Sequence, residues 1–329
     1  MDLYRGRICR HWGCVSTVAR QGGILMKLYH KLSGWVYKTC VYLLLISISY
    51  VFLYPLIRMI SMAFMSSQDI IDPEVMWIPT QLTFANFKVA TFVMNLPDAL
   101  WSTLWFTMIL AGSQTLVTAM TGFALARFDF AFKKVWFILI LISFVIPIPI
   151  VIIPRIMMFI TIQDQLAVQM IGTVIPQLMM TTFGQGVNSA IAILIFYNFF
   201  RMIPTSLDEA AQIDGASPIQ VFYHIILKMS VTVITIVFLF SFVWNWNETY
   251  VTTTFVRSGI DLLSLKLATF DSAFARMGST IPGQAGVARI NEAYKMAATL
   301  LSMLPLLILY LFSQKKFVEG IENAGVTGE

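Results

Sequence analysis

Residues 203–227 read IPTSLDEAAQIDGASPIQVFYHIIL, a polar, turn-rich segment set between two apolar runs. Ser206 stands three residues before Glu209, the capping-box spacing that starts a helix. Leu207 through Ile213 predicts two short helical turns. Asp214-Gly215 closes them, because glycine accepts the left-handed position just past a helix end. Ser217-Pro218 predicts a second start, with Ser as N-cap and Pro in the first turn. The second helix carries Val221, Phe222, Ile225 and Ile226 toward the next apolar run. A stiff, capped element of this kind suits the docking of another subunit, and the small pair Ala210-Ala211 lets a partner approach closely. The alternative is an inert re-entrant connector, and composition does not separate the two.

Outward from this segment the chain is strongly apolar. Of 329 residues, 58% are hydrophobic and 12% charged, with a mean hydropathy of +0.77. Soluble domains carry roughly 25% charge. The apolar residues come in long uncharged runs, which excludes a soluble enzyme, a disordered tail and a nucleic-acid binder and leaves an all-α polytopic membrane protein. About 20 apolar residues cross the hydrocarbon, and six windows qualify. They are Thr39 to Ile57 (running on past Arg58 toward Phe64), Ala99 to Ala126, Val135 to Pro154, about Phe183 to Phe200, Met229 to Asn247, and Met296 to Gln314. Gln165 to Phe200 is uncharged for 36 residues, too long for one span, so a separate piece is expected around Ile171–Met180. Pro147, Pro149 and Pro154 fall in the third window, where they predict either a packing kink or a bend that shapes a pathway.

Charge orients this ladder. Residues 1–38 hold Arg5, Arg7, Arg10, Arg20, Lys27, Lys31 and Lys38 against Asp2, a net +6 in a chain of net +5. Positive loops stay cytoplasmic. Loop 127–134 (Arg127, Lys133 and Lys134 against Asp129) reads as inside, and loop 65–98 (Asp69, Asp72, Glu74 and Asp98 against Lys88) as outside. Lys315-Lys316 reads as inside, so both termini are cytoplasmic and the span number is even. The expected division is a basic tail over 1–38, a transmembrane domain over 39–313 and a cytoplasmic tail over 314–329. Met26 opens a basic stretch, MKLYHKLSGWVYK, that would serve alone as the cytoplasmic lead, so residues 1–25 need not belong to the native product. Cys9, Cys14 and Cys40 are odd in number, against a disulfide framework. Cys9, His11 and Cys14 are too few and too irregular for a metal site, and none is expected.

No G-x-x-x-x-G-K-[ST] phosphate loop is present, nor H-E-x-x-H, nor G-x-S-x-G, so no catalytic residue is expected. No carboxylate falls inside a span, which weakens an ion-coupled secondary carrier, the alternative function.

The segment EAAQIDGAS, followed by Phe222, Ile225 and Leu227, resembles the EAA loop of binding-protein-dependent ABC importer permeases. The resemblance is strongest to the carbohydrate subfamily, the second permease of maltose-type systems. FALARFDF, IPIPIVIIP, FFRMIP, SFVWNWNETY and QKKFVEGI agree in order, so the match covers about residues 40–322. The resemblance implies a multi-pass bacterial inner-membrane subunit, a permease that binds no cofactor itself. Its expected partners are a second permease in a heterodimer, a cytosolic ATPase dimer that uses the ATP, an extracytoplasmic solute-binding protein and membrane lipid. No nucleic-acid partner is expected. The loop over 203–228 is then a coupling helix, with Glu209, Ala210, Ala211, Asp214 and Gly215 on the motif positions. There are two departures. Lys228 replaces the family's proline after Leu227, which predicts a smoother passage into the fifth span. The fourth-span region is several residues longer than the family norm around Met180–Ser189, so its register is open.

The carried-over cargo is a carbohydrate or sugar derivative. Sugars are held by aromatic faces with amide and carboxylate hydrogen bonds, so Trp244, Asn245 and Glu248 are the candidate path residues. An interfacial aromatic belt explains the same cluster. Arg58 and Arg155 end long spans and are expected to reach headgroups.

Overall fold

A computed structural model describes residues 5–257, 259–277 and 292–326, with side chains over 35–257, 259–277 and 292–314. The Cys9–His11–Cys14 question, the basic side chains of residues 1–34, residues 278–291 and the Lys315-Lys316 pair lie outside the described residues or side chains. The described residues are helices and turns without a strand. In order the helices are α1 (Arg5–Phe64), α2 (Ser67–Ile71), α3 (Ala85–Met94), α4 (Leu96–Arg127), α5 (Lys133–Val145), α6 (Ile148–Leu166), α7 (Ile175–Thr182), α8 (Ser189–Met202) and α9 (Ser206–Ile213). There follow α10 (Pro218–Met229), α11 (Val231–Asn247), α12 (Tyr250–Phe255), α13 (Leu263–Ala268), α14 (Phe270–Met277) and α15 (Glu292–Val326). Among the described residues, Trp35–Phe64 of α1, α4, α6 and Glu292–Gln314 of α15 are long and apolar enough to cross a membrane. The bent pairs α8–α9 and α10–α11 raise the number to six if each is one span.

Residues 1–61 form one unit and residues 62–329 a second. In the first unit, α1 runs without a break through Pro55, and from Trp35 to Ile57 its side chains are exposed, as a span in contact with lipid would be.

The second unit is organised on α4, whose small and polar positions let neighbours come close. Gly122 is the tightest point: a Cβ there would lie 2.6 Å from Phe196 Cβ and 3.0 Å from the Tyr197 backbone nitrogen. The α4–α8 contact is therefore set by the absence of a side chain, as at small-residue helix interfaces. Gly122→Leu is expected to cost about 1–3 kcal/mol by overpacking, read as a lowered unfolding temperature in detergent, with Gly122→Ala less affected. One end of the unit packs Ala99, Ala111, Phe242, Trp246 and Tyr294 in a core. The other packs Phe123, Phe196, Phe200, Val221, Phe222 and Ile226.

Three expectations need correction. The third span is not one helix from Val135 to Pro154. It breaks at Ile146 and Pro147, both extended (ψ 121° and 138°), and restarts as α6, which continues past Arg155 to Leu166. Proline forces its predecessor out of the helical region, and Pro149 then fits the open first turn of α6. Arg155 is consequently inside a helix and not at a span end. The fourth helix begins at Ser189, not Phe183. The piece expected around Ile171–Met180 is α7, and residues 183–188 (FGQGVN) form a break in which Gly184 (φ 73°) and Asn188 (φ 55°) are left-handed. Lys228 does not smooth the entry to the fifth span, because α10 and α11 meet at 84°. Ser230 makes the corner: it is fully buried, its Oγ donates to the Ile226 carbonyl at 2.6 Å, and its backbone leaves the helix at φ −103°, ψ 12°.

Candidate functional site

The knuckle between α8 and α11 is built as the sequence indicates, with one exception. Ser206 does not cap α9. The cap is Thr205, itself in the helical region and without a side-chain bond, its carbonyl accepting from the Asp208 and Glu209 amides at 3.0 Å each. The Ser206–Glu209 capping box is therefore absent, because the chain turns 75° from α8 and enters α9 already coiled. At the other end, Asp214 N–H donates to the Ala210 carbonyl, Gly215 is left-handed at φ 87°, and Ala216 N–H reaches the Ala211 carbonyl at 2.9 Å. Ser217 forms the box: its Oγ accepts from Gln220 N–H, and Gln220 Oε1 accepts from Ser217 N–H at 2.7 Å.

Burial separates the faces of this element. Glu209, Ala210, Asp214 and Gly215 are exposed and Ala211 is half-buried. Ile213 and Ile219 are 86% and 70% exposed, large apolar side chains on an outward face. Inward, Val221, Phe222 and Ile226 are buried, each worth about 1.5–3 kcal/mol for leaving water. Phe222 lies 4.9 Å from Phe123 of α4 between ring centroids. The segment Phe222–Ile226 is a π-turn inside α10, a distortion frequent at functional sites.

Asp208 is the residue that sequence reasoning missed. It is buried, and its Oδ2 lies 3.0 Å from Arg127 Nε at the end of α4. Arg127 Nη2 also donates to the Ile203 carbonyl at 2.7 Å. Burial raises the Asp208 carboxyl above its ordinary value, the Arg127 charge pulls it back down, and Glu209 raises it again. Adjacent helical residues point about 100° apart, so of Asp208 and Glu209 one faces α4 and the other faces out. The available signal was Arg127 itself, the charge that closes a long apolar run.

The path residues separate. Asn245 is buried and lines a cavity of about 170 Å³ formed at the α5–α6 and α7–α8 breaks. Its Nδ2 donates to Gln114 Oε1 at 3.0 Å and to the Ser241 carbonyl at 2.8 Å. Trp244, half-buried, stacks on Phe240 at 5.6 Å. Glu248 accepts from the Val251 amide at 2.6 Å and so holds the start of α12. Neither Trp244 nor Glu248 lines the cavity. Trp246 belongs to the core, its Nε1 donating to the Ser302 carbonyl. Arg155 lines the cavity and donates to Gln185 Oε1 at 3.1 Å, contrary to the headgroup role expected of it.

Apolar membrane-length helices, broken at a polar cavity and joined by a rigid external knuckle, define a multi-pass transport subunit. Residues 117–323 match the family of binding-protein-dependent transport system inner membrane components, and the chain belongs to that family. It is a permease subunit of an ABC importer. The diacetylchitobiose uptake system permease protein DasC of Streptomyces coelicolor is 27% identical over 280 residues, 84% of this chain and 92% of that protein. The arabinooligosaccharides transport system permease protein AraQ of Halalkalibacterium halodurans is 23% identical over 288 residues, 85% of this chain and 93% of that protein. A solved bacterial ABC transporter involved in the import of the acidic polysaccharide alginate shares the fold at a TM-score of 0.67 and 18% identity, over 86% of this chain and 97% of that one.

Proposed function

We propose that this chain is one permease half of an importer for a carbohydrate or sugar derivative. An extracytoplasmic solute-binding protein delivers the cargo, a second permease subunit completes the path, and a cytosolic ATPase dimer supplies the energy. The chain binds no cofactor; ATP is used by the partner. Both termini are cytoplasmic, and the knuckle over 206–215 sits in a groove of the ATPase, where Glu209, Ala210, Ala211, Asp214 and Gly215 meet it. ATP closes the ATPase dimer, the knuckle moves with it, and the spans exchange inward for outward access. Such a transition needs an element that moves as a body.

The observation that carries this reading is the knuckle's two-sidedness: exposed Ile213, Ile219 and Glu209 on one face, and the Asp208–Arg127 tether on the other. The sugar class draws support from the relatives, which are named for oligosaccharide uptake. No relative supports an ion-coupled carrier. A cysteine placed at Ala210, whose side chain is exposed, tests the reading. With a short bifunctional crosslinker it is expected to capture an ATPase subunit, with a yield that changes on ATP binding. Capture of no nucleotide-hydrolysing protein, or import by vesicles holding the permeases alone, overturns it.

A further inference from the structure

We infer that the cavity at the two helix breaks is a solute subsite for a polyhydroxylated molecule carrying an anionic group, with Arg155 as the counter-charge. The inference rests on the permease reading and adds the chemistry of the cargo.

Among the cavity-lining side chains that are more than nine-tenths buried are the polar Thr181, whose hydroxyl donates to the Gln177 carbonyl, and Gln177 (3% exposed), Ser189 (3%) and Asn245 (6%); the last three matter here. Each leaves one polar atom without a partner: Gln177 Nε2, Ser189 Oγ and Asn245 Oδ1. The large majority of buried side-chain polar atoms in native proteins have a partner. These atoms are a donor, an acceptor and a hydroxyl that is both, carried on α7, α8 and α11, the mixture that sugar hydroxyls need; each is closed off from water, so a solute meets them only after the side chains turn toward the cavity. The cavity, at about 170 Å³, is far larger than the about 10–15 Å³ that one water requires. Gly186 in its wall is closely packed, since a Cβ would lie 3.2 Å from each of Gln114 Oε1, Ser189 Oγ and Thr181 Oγ1.

Arg155 adds charge. It sits within an otherwise apolar helix, half-buried, with a neutral amide as its hydrogen-bond partner and no salt bridge among the described residues. Among the described residues, no acidic one lines the cavity. A cation at membrane depth is costly unless paired, and guanidinium matches a carboxylate or phosphate in a two-pronged bond. A carboxylate or phosphate on the solute would meet Arg155 and Gln185 while hydroxyls meet Gln177, Ser189 and Asn245.

The test is direct binding to the purified complete importer in detergent, with glucuronate, glucose and inorganic phosphate as probes. Wild type is expected to bind glucuronate about tenfold or more tightly than glucose or phosphate, the scale of a charge-assisted hydrogen bond. Arg155→Gln removes the preference, lowering glucuronate affinity about tenfold or more and glucose affinity less. Arg155→Lys keeps part of it and shows that the site still folds. Asn245→Ala weakens both sugars. Equal binding of glucose and glucuronate, phosphate binding as tight as glucuronate, or a preference unchanged by Arg155→Gln overturns the inference. So does a crosslink showing that a carboxylate of the second permease already pairs with Arg155. If the Ala210 cysteine still captures the ATPase in those cases, the permease reading stands and only the anionic subsite fails.

Discussion

Asp208→Asn is expected to lower ATP-driven uptake by about tenfold or more, with the complex still assembled. The carboxylate and the Arg127 guanidinium are 12% and 7% exposed and 3.0 Å apart. Removing one partner of a buried pair leaves an uncompensated charge, at a cost of about 3–5 kcal/mol. That cost falls on a small element. α9 has eight residues and no side-chain N-cap, and helices this short are not stable alone. Under the proposed coupling role, its tie to α4 carries a push on the outer face to the spans. The single variants Asp208→Asn and Arg127→Met are expected to lose uptake and thermal stability together. The double variant Arg127→Met with Asp208→Leu should recover stability, since a packed apolar pair often replaces a buried ion pair without loss. Wild-type uptake by either single variant in proteoliposomes counts against the tether.

What the sequence made legible was local. The limits of α4, the left-handed Gly215, the Ser217-Pro218 start and the apolar stripe Val221, Phe222 and Ile226 each follow from near neighbours in the chain. The misreadings were choices made by tertiary contacts. The capping box at Ser206 had the right spacing, but the chain arrives from α8 already turned. Lys228 removed a proline, yet the corner was made two residues later by a serine hydroxyl that finds the Ile226 carbonyl. Arg155 looked like a span end because it is the first charge after the uncharged run Val135–Pro154. The break came earlier, at Pro147, and the helix that followed carried Arg155 into the cavity wall. Of the Trp244–Glu248 cluster, only Asn245 could reach that wall, because helical rotation sends Trp246 to the core and Trp244 to the opposite side. Which acid of the pair Asp208 and Glu209 faces inward depends on where Arg127 lies, and residues 81 apart in sequence leave no periodic trace.

Gly215→Val is expected to abolish coupling while the chain remains folded. Gly215 holds φ 87°, a left-handed conformation that costs an ordinary residue about 1–2 kcal/mol and a β-branched one more. A Cβ there meets no atom of this chain within 4 Å, so the penalty is backbone strain and not a clash. The turn relieves it by changing φ, which swings α9 relative to α10 and breaks the Ala216-to-Ala211 hydrogen bond that closes the helix. The buried half of the knuckle, Phe222 and Ile226, is remote from this change and keeps the spans packed. Uptake is expected to fall about tenfold or more, since a loss of 1.4 kcal/mol of coupling is a factor of ten, while the partner ATPase continues to turn over without transport. Gly215→Asn separates conformation from bulk: asparagine tolerates the left-handed region, so it should retain most uptake despite its larger side chain. If Val and Asn are equally inactive, the partner's groove excludes any side chain and the role of Gly215 is steric. If Gly215→Val transports normally at normal expression, the turn is not the lever.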